Sequence, residues 1–241
     1  LILAAGFAPQ GWWRVGLWAL ALAIDFATPL IAGPGGWRID APHFTERHGL
    51  IIIIALGESV VALGVSAAGE TLTTEVVAAA VLGVIVVAAM WWLYFDVVAV
   101  VAERRLASLT GRAQTAMARD SYSYIHLFMV FGIVLTALGL KKTLIDIGDP
   151  LKAVADAALF GGVALYLLAH VAFRLRNIGT LNVQRLVVAV LLLALIPVGL
   201  VISAQVSLTI LTVVLVGLVV YETLRFRGAR HAIRHHAEEP S

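Results

Sequence analysis

Residues 44–60 read FTERHGLIIIIALGESV, and this stretch decides the fold. It opens on Glu46, Arg47 and His48, continues through apolar residues, and then places Glu58 inside the apolar run. An apolar run of about 20 residues is long enough to cross the hydrocarbon core of a bilayer as a helix. The stretch therefore predicts a membrane-spanning helix with a carboxylate near its middle.

The whole chain has the composition of an integral membrane protein. Its 241 residues are 61% hydrophobic and 13% charged, with a mean hydropathy of +0.97, whereas soluble domains carry about 25% charged residues. Helices satisfy their backbone hydrogen bonds internally, and these apolar runs are too long for barrel strands. We therefore predict an all-α, polytopic transmembrane helix bundle. The absence of cysteine excludes disulfides, thiolate metal sites and a cysteine nucleophile.

Seven apolar segments form one predicted transmembrane domain over residues 1–226. The predicted spans are 12–32, 46–66, 75–102, 120–140, 153–174, 183–203 and 206–226. Turn residues separate them, for example GPGG at 33–36 and Asp149-Pro150. Residues 227–241 are predicted to be a basic, histidine-containing cytoplasmic tail. Because the chain starts at Leu1 within an apolar stretch, we expect further N-terminal helices of the same protein to precede it.

The distribution of basic residues predicts the orientation of the chain. The loops after the first, third and fifth spans and the tail hold 13 of the 17 Lys and Arg residues, and the other side holds 4. Cytoplasmic loops carry an excess of these residues. We therefore expect an outside N-terminus and a cytoplasmic C-terminus in a bacterial plasma (inner) membrane, with the lipid bilayer as partner. This placement explains the pI of 9.2 without nucleic-acid binding.

Most ionisable residues within the spans fall in the predicted cytoplasmic half. Glu58 follows His48 by ten residues, which places it about 15 Å deep, near the midplane. Charges at such depth are costly, and they indicate functional sites. We predict a polar, cytoplasm-facing cavity with Glu58 at its floor. The candidate ion-, proton- or substrate-binding residues are Glu58, Ser59, Arg47, Glu46, His48, Asp25, Asp96, Tyr122, His126 and His170.

Structural roles stay open for several of these residues. His126 and His170 also suit interhelical hydrogen bonding, and Asp96 suits an interfacial position. No dense metal-ligand motif such as H-E-x-x-H occurs, so no metal and no other cofactor is expected. Small residues permit close helix packing, and the candidates for such packing in the second span are Gly49, Gly57 and Gly64. A homo-oligomer is an open alternative.

Residues 43–59, HFTERHGLIIIIALGES, closely resemble the signature of the bacterial low temperature requirement protein A family (LtrA). The matching positions are Glu46, Arg47, His48, Gly49, Leu50, Gly57, Glu58 and Ser59. Segments 91–96, WWLYFD, and 122–134, YSYIHLFMVFGIV, resemble the family more loosely. The resemblance implies a stress-response role in growth at low temperature and implies no particular reaction. It also implies N-terminal helices, with an ELFFDLVF-like segment, that this sequence lacks.

Several functions fit these observations. The favoured one is a proton- or cation-linked transporter or channel in which Glu58 exchanges the ion and Arg47 guards the cytoplasmic mouth. A membrane-embedded enzyme acting on a lipid-like substrate is a less favoured alternative. A structural or sensor membrane protein for growth in the cold is another. A retinal pigment is excluded, because the last span contains no lysine for a Schiff base.

Overall fold

The computed structural model describes Gly6, residues 11–32 and residues 39–228, and this part of the chain contains helices and no strand. In chain order, the helices are α1 Trp12–Ala32, α2 Ala41–Ala68, α3 Thr74–Phe95, α4 Val98–Ala107, α5 Gly111–Met117, a π-helical segment Ala118–Ile125, α6 His126–Ile145, α7 Ala153–Ile178, α8 Val183–Gly199 and α9 Ala204–Arg225. The prediction of an all-α helix bundle is confirmed. The segment 33–36 and residues 229–241 of the predicted tail lie outside the described residues.

Within the described part of the chain, five helical stretches are long and apolar enough to cross a membrane. They are Ala41–Ala68, Thr74–Ala107, Gly111–Ile145, Ala153–Ile178 and Ala204–Arg225. The chain is therefore a helical membrane protein. The apolar helix α8 is shorter, with 17 residues, because it ends at Gly199 rather than at the predicted residue 203.

Local sequence sets where several helices begin and end. The side chain of Asp40 accepts a hydrogen bond from His43 N at the start of α2, and Thr73 does the same for Val76 N at the start of α3. Asn182 caps α8 by accepting from Arg185 N. Such side chains satisfy backbone N–H groups that have no partner within the helix. At the other end of a helix, Gly179 ends α7 with φ of 76°, a conformation that glycine adopts without strain.

Two predicted spans are irregular. The predicted span 75–102 is divided, since α3 ends at Phe95 and α4 begins at Val98. Between them Val97 has φ of −136° and ψ of −37°, outside the α-helical region. The span predicted at 120–140 instead begins at Gly111 and contains the π-helical segment. The break at Asp96 and Val97 lies within an otherwise apolar run, so hydropathy does not indicate it. The π-helical segment, ARDSYSYI, is polar, but its polarity does not specify π-helical geometry.

The centre of the bundle is α7, which packs between α6 and α8. Glycines let α6 and α7 approach closely: a Cβ atom at Gly139 would lie 2.5 Å from Leu159 N, and one at Gly132 would lie 2.8 Å from Gly162 O. α2 packs against α6 and α3, and α3 packs against α9. This order brings the C-terminal ends of α3, α7 and α9 together with the N-terminal ends of α2 and α8. The polar side chains discussed below gather at this end.

Candidate functional site

A buried ion pair joins α8 to α9. Arg185 donates from Nε to Glu222 Oε1 at 2.9 Å and from Nη2 to Oε2 at 2.8 Å. Each residue is only 5% exposed. Asn182, the cap of α8, adds a bond from Nδ2 to Glu222 Oε1 at 3.4 Å. Two parallel hydrogen bonds and a third donor offset the large cost of removing both charges from water.

A cavity of about 290 Å³ lies beside this ion pair, and we call it the arginine cavity. Its polar lining comes from Asp96, His170, Arg174, Asn177, Asn182, Arg185 and Glu222. Its apolar lining includes Leu93, Val98, Ala102 and Phe173. The break between α3 and α4 forms part of the wall, because Asp96 and Val97 both line the cavity. An apolar wall with a few convergent polar groups is the usual character of a small-molecule site.

Several polar atoms around the arginine cavity lack a partner. Trp92 Nε1, His170 Nε2 and Asn177 Nδ2 are buried and have no hydrogen-bond partner among the described residues. All of these residues line the cavity. Buried polar atoms in native proteins nearly always bond to protein or to water. The wall of the arginine cavity therefore contains polar atoms that still need a partner, such as an ordered water molecule.

Further polar contacts lie behind Asn177, which lines the arginine cavity. Arg105 Nε donates to Asn177 O at 3.2 Å, and Ser121 Oγ donates to Asn177 Oδ1. Asp120 accepts from Arg119 at 2.8 Å and from Arg176 at 2.9 Å. These bonds connect α4 and the π-helical segment to the end of α7. The bonds from Arg105 and Ser121 fix the position of Asn177 in the cavity wall.

A second cavity, of about 260 Å³, lies on the other side of α3, and we call it the acidic cavity. Glu46 and Glu103 both line it, together with Thr45, Tyr94 and Tyr122. No lysine or arginine is part of the lining that the described residues provide. The Tyr122 side chain is 2% exposed, and its hydroxyl has no partner in the described part of the chain. Two carboxylates without a basic neighbour in the lining favour the approach of a cation or a proton.

Histidine and tyrosine rings fill the space between the two cavities. The centroid of His126 lies 5.3 Å from that of His48 and 6.2 Å from that of Tyr122. Tyr94 lies between two histidines, at 5.6 Å from His126 and 6.0 Å from His170. The π-helical segment carries Tyr122 directly into this group, and π-helical turns occur frequently at functional sites.

The structure places six of the ten predicted candidates at or between the two cavities and the other four elsewhere. Asp96 and His170 line the arginine cavity, Glu46 and Tyr122 line the acidic cavity, and His48 and His126 lie between them. Glu58, Arg47 and Asp25 line neither cavity, and their side chains are exposed. Ser59 is buried, and its hydroxyl donates to Ala55 O of its own helix at 3.0 Å.

Glu58 lies on an outer surface of α2, which we call the Glu58 face. This face consists of exposed residues at helical spacing, namely Ile54, Gly57, Glu58, Val61 and Val65. A Cβ atom added at Gly57 or Gly64 meets nothing within 4 Å, whereas one at Gly49 would lie 3.4 Å from Phe95 Cε1. Within the described residues, only Gly49 of the three predicted packing glycines contacts another helix. The sequence predicted Glu58 at the floor of a polar cavity. Among the described residues, Glu58 instead lies on an exposed surface and lines neither cavity.

The described residues contain no group of three or more His, Cys, Asp or Glu side chains that could hold a metal ion. The candidate site consists of the Arg185–Glu222 ion pair, the two cavities and the group of titratable rings between them. These parts suit binding of a solute and transfer of protons.

The model of the bacterial low temperature requirement A protein (LtrA) family matches residues 1–220. The chain belongs to the LtrA family. The family assignment made from the sequence is therefore confirmed. Among curated proteins, an uncharacterised protein of Rhizobium meliloti (strain 1021) is 30% identical over 136 residues, which cover 52% of this chain. The match covers 32% of that relative's length. No solved structure matches the chain.

Residues of the LtrA signature lie both at the polar end of the bundle and on the Glu58 face. Its first part places Glu46 at the acidic cavity and His48 beside His126. Its second part places Gly57 and Glu58 on the outer surface of α2. Sequence reasoning missed the pairing of Arg185 with Glu222. The sequence shows Asn182 as a possible helix cap and Glu222 as an acidic residue within an apolar helix. Their contact with each other and with Arg185 is visible only in the folded bundle.

Proposed function

We propose that this LtrA-family protein is a proton-linked transporter whose substrate site is the arginine cavity. The observation that carries the proposal is the convergence of Arg185, Glu222, Asp96 and His170 on one apolar-walled cavity inside a membrane bundle. Ionisable residues within membrane helices usually mark pathways for solutes or protons. The cavity presents both signs of charge next to apolar walls, which suits a small solute with an apolar part and at least one charged group.

Irregular helices support this proposal. Interrupted helices are common at the substrate sites of transporters, where they expose backbone groups to the cavity. Here the break between α3 and α4 borders the arginine cavity, and the π-helical segment holds Tyr122 at the acidic one. The proposed orientation has the N-terminal end of the sequence outside and the C-terminal end inside, from the basic residues of the loops. Both cavities would then lie toward the cytoplasm.

The absence of cysteine allows a direct test. A transporter exposes its substrate site to each side of the membrane in turn, whereas an enzyme or a sensor exposes its site to one side. Ala102→Cys places a single thiol in the arginine cavity, because Ala102 is buried and lines it. The thiol would be labelled in cells and in inverted vesicles with a membrane-impermeant maleimide.

We expect Ala102→Cys to react from both sides. Two single-cysteine controls in exposed loop positions, Ser108→Cys and Glu70→Cys, should each react from one side only, the former from the cytoplasm and the latter from outside. Labelling of Ala102→Cys from the cytoplasmic side alone would contradict transport and favour the enzyme or sensor. Labelling of Ser108→Cys from outside would contradict the proposed orientation.

A further inference from the structure

The two cavities are separated by rings that can each hold or pass a proton. Tyr122 borders the acidic cavity, and His170 borders the arginine cavity. His126 and Tyr94 lie between them, with neighbouring ring centroids 5.6 to 6.2 Å apart along the series Tyr122, His126, Tyr94, His170. These distances between ring centres show that the four rings are neighbours in the interior of the bundle. The Tyr122 hydroxyl and one nitrogen of each histidine are buried without a partner among the described residues, and buried polar atoms in native proteins nearly always bond to protein or to water.

The hydrogen bonds of His126 determine which ring nitrogen is free to accept a proton. His126 Nε2 lies 3.1 Å from the carbonyl oxygen of His48. A carbonyl oxygen can only accept, so this nitrogen carries the hydrogen. Nδ1 of the neutral ring is then the basic nitrogen, and it is buried without a partner among the described residues.

His170 has the opposite arrangement. Its Nδ1 lies 2.8 Å from the carbonyl oxygen of Tyr166, so Nδ1 is the protonated nitrogen of the neutral ring. Nε2 is the basic nitrogen, and it is buried without a partner in the part of the chain that the structure describes. His170 itself lines the arginine cavity, which is the proposed substrate site.

Charged and titratable groups surround both histidines. His126 contacts His48 on α2, Tyr94 on α3 and Tyr122 on the π-helical segment. His170 contacts Tyr94 and Tyr166, and the cavity that it lines also contains the side chains of Asp96, Arg174, Arg185 and Glu222. Tyr122 shares the acidic cavity with Glu46, Glu103 and Tyr94. Carboxylates thus lie at both ends of the series, and neutral rings lie in the middle.

We propose that Tyr122, His126 and His170 form a water-assisted proton path between the acidic cavity and the arginine cavity. A proton from a carboxylic acid of the acidic cavity moves through water and the Tyr122 hydroxyl to Nδ1 of His126. It continues through water beside Tyr94 to Nε2 of His170, and then to a carboxylate of the arginine cavity. Each ring returns to neutrality after releasing the proton that it gained. The path rests on the proposed function, since it would couple protons to the substrate site.

Solid-state NMR of the protein in liposomes, with its histidines labelled with ¹⁵N, tests the path. The ring nitrogen shifts should show His126 protonated at Nε2 and His170 protonated at Nδ1 in their neutral forms. Magnetisation from water should reach the basic nitrogen of both rings. Tyr122→Phe removes only the hydroxyl and should abolish most of the transfer at His126. The matched control is Tyr124→Phe in the same π-helical segment, whose hydroxyl donates to Phe26 O at 2.7 Å. This variant should leave the transfer unchanged.

Three results would overturn the path: reversed tautomers, transfer at His126 unaffected by Tyr122→Phe, or an equal loss in both tyrosine variants. The outcome is separable from that of the cysteine labelling. Labelling of Ala102→Cys from one side, with intact water-to-histidine transfer, would contradict transport and support the proton path. Labelling from both sides without such transfer would support transport and contradict the proton path.

Discussion

The Glu58 face and the interior of the bundle contain the same kinds of residues in different settings. Both have a glutamate within an apolar helix and glycines at helical spacing. On the Glu58 face these residues point away from the bundle formed by the described residues, and a Cβ at Gly57 meets nothing. In the interior, Glu222 is paired with Arg185, and Gly139 lies against the backbone of α7. Spacing alone thus does not distinguish a packed or functional polar residue from an outer one.

The largest expected difference concerns the two glutamates. Arg185→Met leaves the Glu222 carboxylate buried without its main partner, and such a loss costs about 3–5 kcal/mol. The double variant Arg185→Met/Glu222→Leu removes both charges and should recover most of this loss. Glu58→Gln should not lower the free energy of unfolding, because the exposed Glu58 side chain has no hydrogen-bond or ion-pair partner among the described residues to lose. Unfolding of the purified protein by SDS measures all of these values.

If Glu58→Gln destabilised the protein as much as Arg185→Met does, Glu58 would have a buried partner in the native membrane. The distinction between an outer Glu58 and an interior Glu222 would then be wrong.

A smaller difference is expected between the glycines. Gly139→Ala forces a methyl group against the backbone of Leu159, which cannot move aside as a flexible side chain would. Such overpacking costs about 1–3 kcal/mol. Gly57→Ala is the matched variant, because open space surrounds its position. We expect no loss of stability from it in the same SDS titration. A loss comparable to that of Gly139→Ala would show that another helix covers the Glu58 face.

The smallest difference concerns two buried serines. Ser121→Ala removes the hydrogen bond to Asn177 that connects the π-helical segment to α7, and we expect a cost of about 1 kcal/mol. Ser59→Ala removes only a bond to a carbonyl oxygen that already belongs to its own helix. We expect about half that cost or less. Equal costs for the two variants in the same titration would argue against a special role for the Asn177 contacts.

Much of the fold follows from hydropathy, because apolar runs of sufficient length must be helices in a membrane. The family also follows from a short signature. For the candidate site, the sequence indicates individual residues but not their arrangement: the structure brings Asp96, His126, His170, Tyr122 and Glu46 together at the polar end of the bundle. The pairing of Arg185 with Glu222 is not predictable in this way, because the residues are 37 positions apart and meet only through the packing of α8 on α9. The exposure of Glu58 is not predictable either, because the position of a residue along a helix does not specify whether its face packs against another helix.

The most direct test of the account compares the water accessibility of the two regions in native membranes. Single-cysteine variants Ala102→Cys and Glu58→Cys would be treated with a membrane-impermeant maleimide in inverted vesicles, where a thiol reacts only where water reaches it. The account predicts labelling of Ala102→Cys, in the arginine cavity, and protection of Glu58→Cys. Labelling of Glu58→Cys together with protection of Ala102→Cys would contradict it, and would place the hydrated site at Glu58 instead.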